Sequence, residues 1–179
     1  MQGRGVAAAL ALSLVALCAN AGSPATKSPE IGALAPDFTA KELMTGHVVH
    51  LSDQRGKLVF LSFWATWCAP CRKELPILNN VQKLVAARGG IVYAVSFAER
   101  ASQYDLQRVF RTGGWQLTPL VDAGGKIAAA YGIQTIPHLF IIGRDGKILA
   151  VNTGYGDRSP EELASEINAA FKSQETAAN

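Results

Sequence analysis

Two cysteines stand three positions apart in the stretch Phe63-Trp64-Ala65-Thr66-Trp67-Cys68-Ala69-Pro70-Cys71. A thiolate attacks sulfur, and a second thiol close behind it displaces whatever the first has bonded, so this spacing suits thiol–disulfide exchange. A bond closing so short a loop restrains the unfolded chain little, which makes stabilisation a poor reason for the pair. Half of a zinc site is the other reading. It needs two more ligands, and beyond carboxylates the chain past residue 21 offers only His47, His50 and His138. His47 and His50 are three apart, and on a strand that spacing sends the two side chains to opposite faces. The pair therefore reads as redox chemistry that requires no bound cofactor and no metal.

Such a disulfide forms and persists in an oxidising compartment. The opening stretch MQGRGVAAALALSLVALCANAGSPA has Arg4, an uncharged apolar run and then Ala19-Asn20-Ala21. That layout is a secretory signal with an A-x-A cleavage site, expected over residues 1–21. The run from Val6 to Ala19 is shorter than the roughly 20 residues of a spanning helix, so a retained anchor is the weaker reading. A lipoprotein signal ending at Cys18 would want a small residue before it, where Leu17 stands. Cleavage after Ala21 removes Cys18 and leaves Cys68 and Cys71. The 179 residues are 49% hydrophobic and 17% charged, enough for one core, and a net charge of +3 without charge runs gives no support to a nucleic-acid partner.

The elements that must position the pair follow from periodicity. Ser28 to Ala35 is a Pro/Gly-punctuated tether, within a segment set at 22–35, and Asp37 to Ser52 reads as a hairpin turning near Thr45-Gly46. The apolar runs at 57–64 and 91–97 are strands buried on both faces, joined by a helix over about 69–87 on which Leu75, Leu78, Val81 and Val85 recur. Pro76 is expected to kink that helix. Ser102 opens a helix ended by Gly113-Gly114; a strand at 117–121 and a short helix at 126–131 follow. HLFII at 138–142 and KILAVNT at 147–153 form a hairpin, and Ser159-Pro160-Glu161-Glu162 opens a last helix with Leu163, Ile167 and Phe171 inward. In this α/β layout Cys68 closes the loop after a strand and Cys71 sits in the first turn of a helix. The helix N-terminus favours a thiolate, so Cys68 is expected to be the acidic, exposed sulfur.

Three motifs together resemble the TlpA/ResA-type branch of the thioredoxin superfamily. They are Phe63 to Pro76, Gly32-x-x-Ala35-Pro36-Asp37-Phe38 upstream, and Tyr131-Gly132-Ile133-x-x-Ile136-Pro137 downstream. The resemblance implies a thioredoxin-like fold over 36–173, a mixed central sheet flanked by helices, with an N-terminal β-hairpin (Asp37 to Ser52) and a central insertion (Ser102 to Trp115). A flexible tail is left at 174–179. It also implies that Cys68 attacks, Cys71 resolves, Trp67 flanks the active-site surface, and Pro137 is a cis-proline beside the disulfide, with the Ile136 backbone pairing with substrate.

Two departures matter. Thioredoxins carry a buried aspartate in the strand before Phe-Trp, where this chain has Ser62, and many relatives have threonine at His138. In the ResA-like branch the acid–base role falls to a glutamate three residues past the second cysteine, here Glu74. Helix spacing independently sets Glu74 between Cys71 and the row Leu78, Val81, Val85, where its carboxyl is expected to hold a proton and exchange it with Cys71. A solvated glutamate offsetting Arg72 and Lys73 is the plainer reading.

The resulting expectation is a periplasmic protein disulfide reductase with no cofactor, acting on disulfide-containing proteins of cytochrome c maturation or oxidase copper-site assembly. Its implied electron source is a membrane donor of the DsbD or CcdA type. Alternatives are a disulfide-introducing oxidase on the same scaffold and a copper-binding metallochaperone using Cys68, Cys71 and His138. Peroxidase chemistry is disfavoured, because Ala65 stands where the peroxiredoxin pattern has threonine.

Overall fold

The computed structural model describes residues 27–154 and 160–176, with the side chains of residues 160, 161, 163, 175 and 176 set aside. The expected signal peptide, Ser159 and the Leu163 side chain lie outside this description.

The central strand is β3 (Leu58–Trp64), whose seven residues are all buried. It pairs parallel with β4 (Gly90–Ser96) and antiparallel with β6 (His138–Ile142), so neither of its edges meets water. Adding β1 (Thr39–Glu42), β2 (Val48–His50), β5 (Thr118–Val121) and β7 (Ile148–Thr153) gives one mixed seven-stranded sheet ordered β2-β1-β5-β4-β3-β6-β7. Strand alternation sends Leu58, Phe60 and Trp64 to one face and Val59, Leu61 and Phe63 to the other.

The first face packs on α1 (Ala69–Ala86) through Leu75, Leu78, Val81 and Val85, and on α2 (Gln103–Gly113) through Leu106 and Phe110. Ile167 and Phe171 of α4 (Pro160–Thr176) complete it. The opposite face takes Phe38, Leu51 and α3 (Lys126–Ala130), with Tyr131 wedged among Phe38, Phe63 and Phe140. Helices on both faces explain why the inner strands are continuously apolar rather than alternating.

Sequence signals translate directly at most ends. Ser102 caps α2 by accepting from the Asp105 N–H at 3.2 Å, and Gly114 ends it at φ +60°, a left-handed conformation that glycine adopts without a Cβ clash. The helix α1 runs unbroken through Pro76.

Three places differ. The expected tether is not free at its C-terminal end: Gly32 N–H donates to Ile148 O, Ile148 N–H to Ala33 O and Ala35 N–H to Gly146 O, and Ala35 is buried. Those bonds dock it on the β6–β7 hairpin, a long-range pairing that local composition does not encode. The helix α4 takes in residues 174–176, which the sequence left to a tail. The N-terminal hairpin does not stand apart either, because β1 pairs antiparallel with β5, Lys41 opposite Val121 and Glu42 opposite Leu120.

Candidate active site

Cys68 lies just past the C-terminal end of β3, joined there by the turn Ala65-Thr66-Trp67, and is the N-cap of α1. Its extended backbone (φ −84°, ψ 100°) aims the sulfur back at the helix, where Sγ accepts the Cys71 N–H at 3.2 Å. This is a helix N-terminus turned on a sulfur, the arrangement that favours a thiolate once the disulfide opens. Pro70 occupies the first turn, where no intrahelical N–H is needed. Cys68 and Cys71 are joined as a disulfide.

The sulfur expected to be exposed is not. Cys68 is 5% accessible and Cys71 is 1%, because the loop before β6 closes over the pair. In that loop the Ile136–Pro137 peptide is cis, and the Ile136 carbonyl oxygen stands 3.9 Å from Cys68 Sγ. The Gly154 N–H donates to Pro137 O at 2.8 Å, tying the loop to the end of β7. Pro137 is buried, Ile136 is half-buried, and Trp67, the residue before Cys68, is 54% exposed.

Glu74 sits one turn along α1 from Cys71, half-buried, at the height of Ser62. Ser62 lies on the α1 face of β3, fully buried, and its hydroxyl donates to Glu74 Oε2 at 3.5 Å. The small serine leaves room for a carboxylate arriving from the helix rather than from the strand.

One residue at the site went unread in the sequence. Glu99, in the loop after β4, accepts the Thr66 N–H at 2.7 Å and the Thr66 hydroxyl at 2.8 Å, together with the N–H groups of Arg100 at 2.8 Å and Ala101 at 2.9 Å. Burial, the largest single influence, pushes the Glu99 carboxyl up, but the bonds from Thr66, Ala101 and Arg100 together hold it below the usual carboxylate range. A glutamate 33 residues from its partner carries no local signature. The only hint was its position at the C-terminal end of an inner strand, beside the loop that carries Cys68.

The same stretch of chain, residues 31–151, matches the AhpC/TSA family. The chain belongs to that family. Within it, the thiol-disulfide oxidoreductase ResA of Geobacillus thermodenitrificans is 33% identical over 124 residues, covering 69% of this chain and 70% of the relative. ResA of Bacillus subtilis is 33% identical over 147 residues, 79% of this chain and 80% of the relative. Among solved structures, a Chlorobium tepidum protein assigned as the thiol:disulfide interchange protein DsbE superposes with a TM-score of 0.73 at 36% identity, over 80% of this chain and 99% of that one. This AhpC/TSA member is thus a thiol-disulfide oxidoreductase of the ResA/DsbE type that carries the disulfide pair Cys68–Cys71.

His138 corrects one alternative. It alternates with Leu139 along β6, and Leu139 is the one that faces α1. The imidazole turns to the opposite face, stacking on Phe140 with centroids 4.9 Å apart and planes at 14°, its Nε2 within 3.5 Å of the Thr153 hydroxyl. The Cys68–Cys71–His138 copper cluster is not assembled, and among the described residues no three His, Cys, Asp or Glu side chains gather as a metal site. His50 Nδ1 lies 2.9 Å from the Thr39 hydroxyl. Among the described residues no helix is long and apolar enough to cross a membrane.

Proposed function

We propose that the protein is exported to the periplasm by a cleaved signal peptide. There it reduces disulfides in partner proteins, oxidised apocytochrome c or copper-site proteins of respiratory oxidases. The Cys68 thiolate attacks one sulfur of a partner disulfide, and the other partner sulfur leaves as a thiolate that takes a proton. Cys71, deprotonated with Glu74 receiving its proton, attacks Cys68 Sγ and expels the second partner sulfur. Two electrons pass to the partner, and the Cys68–Cys71 disulfide remains. A membrane donor of the DsbD or CcdA kind returns the pair to the dithiol. Trp67, the Ile136 backbone and Pro137 form the surface on which the partner's extended chain lies.

What supports this reading is the place of Cys68 Sγ, between the α1 N-terminus and the Ile136 carbonyl. A partner strand pairing with Ile136 would bring its sulfur onto Cys68 rather than Cys71. The test is trapping. Cys71→Ser should accumulate mixed disulfides with partner proteins, while Cys68→Ser should trap none. Equal trapping by both variants would reverse the order of attack.

A further inference from the structure

We propose that Glu99 is a positioning residue for disulfide exchange: its carboxylate staples the turn before Cys68 to the loop leading into α2, and so fixes the Trp67 side of the partner-docking surface. The proposal rests on the exchange reading above.

The staple is built from both sides. Thr66 gives the carboxylate its backbone N–H and its hydroxyl, while Arg100 and Ala101 give their N–H groups from the far loop. A neutral amide cannot replace the carboxylate here, since every group facing it is a donor and an amide nitrogen would oppose some of them. A second tie runs alongside, the Trp67 indole N–H donating to Ala98 O at 3.2 Å. To present that carbonyl, Ala98 adopts φ +44°, a conformation uncommon for a residue with a Cβ that persists only where its surroundings impose it. Without the carboxylate, Arg100 and Ala101 lose the acceptor that folds the loop under Trp67.

The result is a cleft of about 460 Å³ lined by Thr66, Trp67 and residues 98–101, on the loop that leads into Cys68. Cys68 itself is held by α1 and the Ile136 loop, independently of the staple. Glu99 should therefore govern how a protein substrate docks more than how the sulfur reacts.

The test uses the mature chain with Glu99→Gln and Thr66→Val. Insulin serves as the protein disulfide and glutathione disulfide as a small one that needs no docking surface. Glu99→Gln should raise the KM for insulin about tenfold, with kcat and the glutathione disulfide rate within about twofold. Thr66→Val, which keeps its backbone bond, should move KM the same way by less, and the double variant should be no worse than Glu99→Gln alone. A readout independent of activity is the 19F spectrum of 5-fluorotryptophan protein, with Trp67 assigned through Trp67→Phe. Glu99→Gln should move the Trp67 resonance and leave Trp64 and Trp115 in place. An unmoved resonance, lowered thermal stability with unchanged insulin KM, or equal slowing of both substrates would each overturn the staple. A wild type that reduces no disulfide would sink the exchange reading, and the Trp67 resonance would still decide this one.

Discussion

Around Cys68, opposing charges set the redox direction. The Cys71 N–H on the sulfur and the exposed first-turn Arg72 and Lys73 favour a thiolate, whereas the Glu74 carboxylate one turn away opposes a second negative charge. No histidine lies between the cysteines to strengthen the first side. The balance should leave a reduction potential nearer thioredoxin's ~−270 mV than the ~−120 mV of the strong oxidant DsbA. Equilibration against glutathione or dithiothreitol buffers, read by tryptophan fluorescence, checks it, and a value at the DsbA end would favour the oxidase. For Glu74, the Glu74→Gln variant should fold normally, reduce disulfides on the order of 10- to 100-fold more slowly, and lose one inflection of its pH–rate profile. An unchanged profile would return Glu74 to a merely solvated carboxylate.

The element that braces this site is α2. Its Phe110 is buried between Trp64, at the end of β3, and Trp115, with edge-to-face contacts at 5.4 Å and 5.5 Å. Gly113 lets Trp115 fold back, since a Cβ there would stand 2.4 Å from the indole. Truncating Phe110 opens a void between two indoles that cannot collapse onto each other. Phe110→Ala should cost about 3–5 kcal/mol, seen as a large fall in melting temperature together with altered tryptophan emission. A fall of only a degree or two would mean that α2 packs on the sheet without it. The sequence placed this helix and its cap correctly, because Ser102, Leu106, Phe110 and Gly114 are local signals. It did not show that the following strand, β5, would be the seam joining the hairpin to the core sheet.

Across the whole molecule, the packing of both sheet faces makes stability depend on pH through His138. Burial lowers its imidazole pKa below the ordinary value, with only partial offset from the Thr135 backbone. The native protein therefore resists a proton that the unfolded chain accepts, and stability should fall as pH drops through about 6.5, by at most about 1.4 kcal/mol per pH unit. Denaturant titrations of wild type and His138→Phe should diverge below that pH, the variant losing less; parallel curves would deny His138 the effect. The sequence by itself determined the redox pair, the buried strands, the ends of α2 and the face carrying Glu74, because each depends on spacing within one element and on capping chemistry. Tertiary structure alone decided the rest. It buried Cys68 under the Ile136–Pro137 loop, docked residues 32–35 on a distant hairpin, and brought Glu99 to Thr66. Each of these pairs residues far apart in the chain, and local periodicity carries no information about which loops the sheet order will bring together.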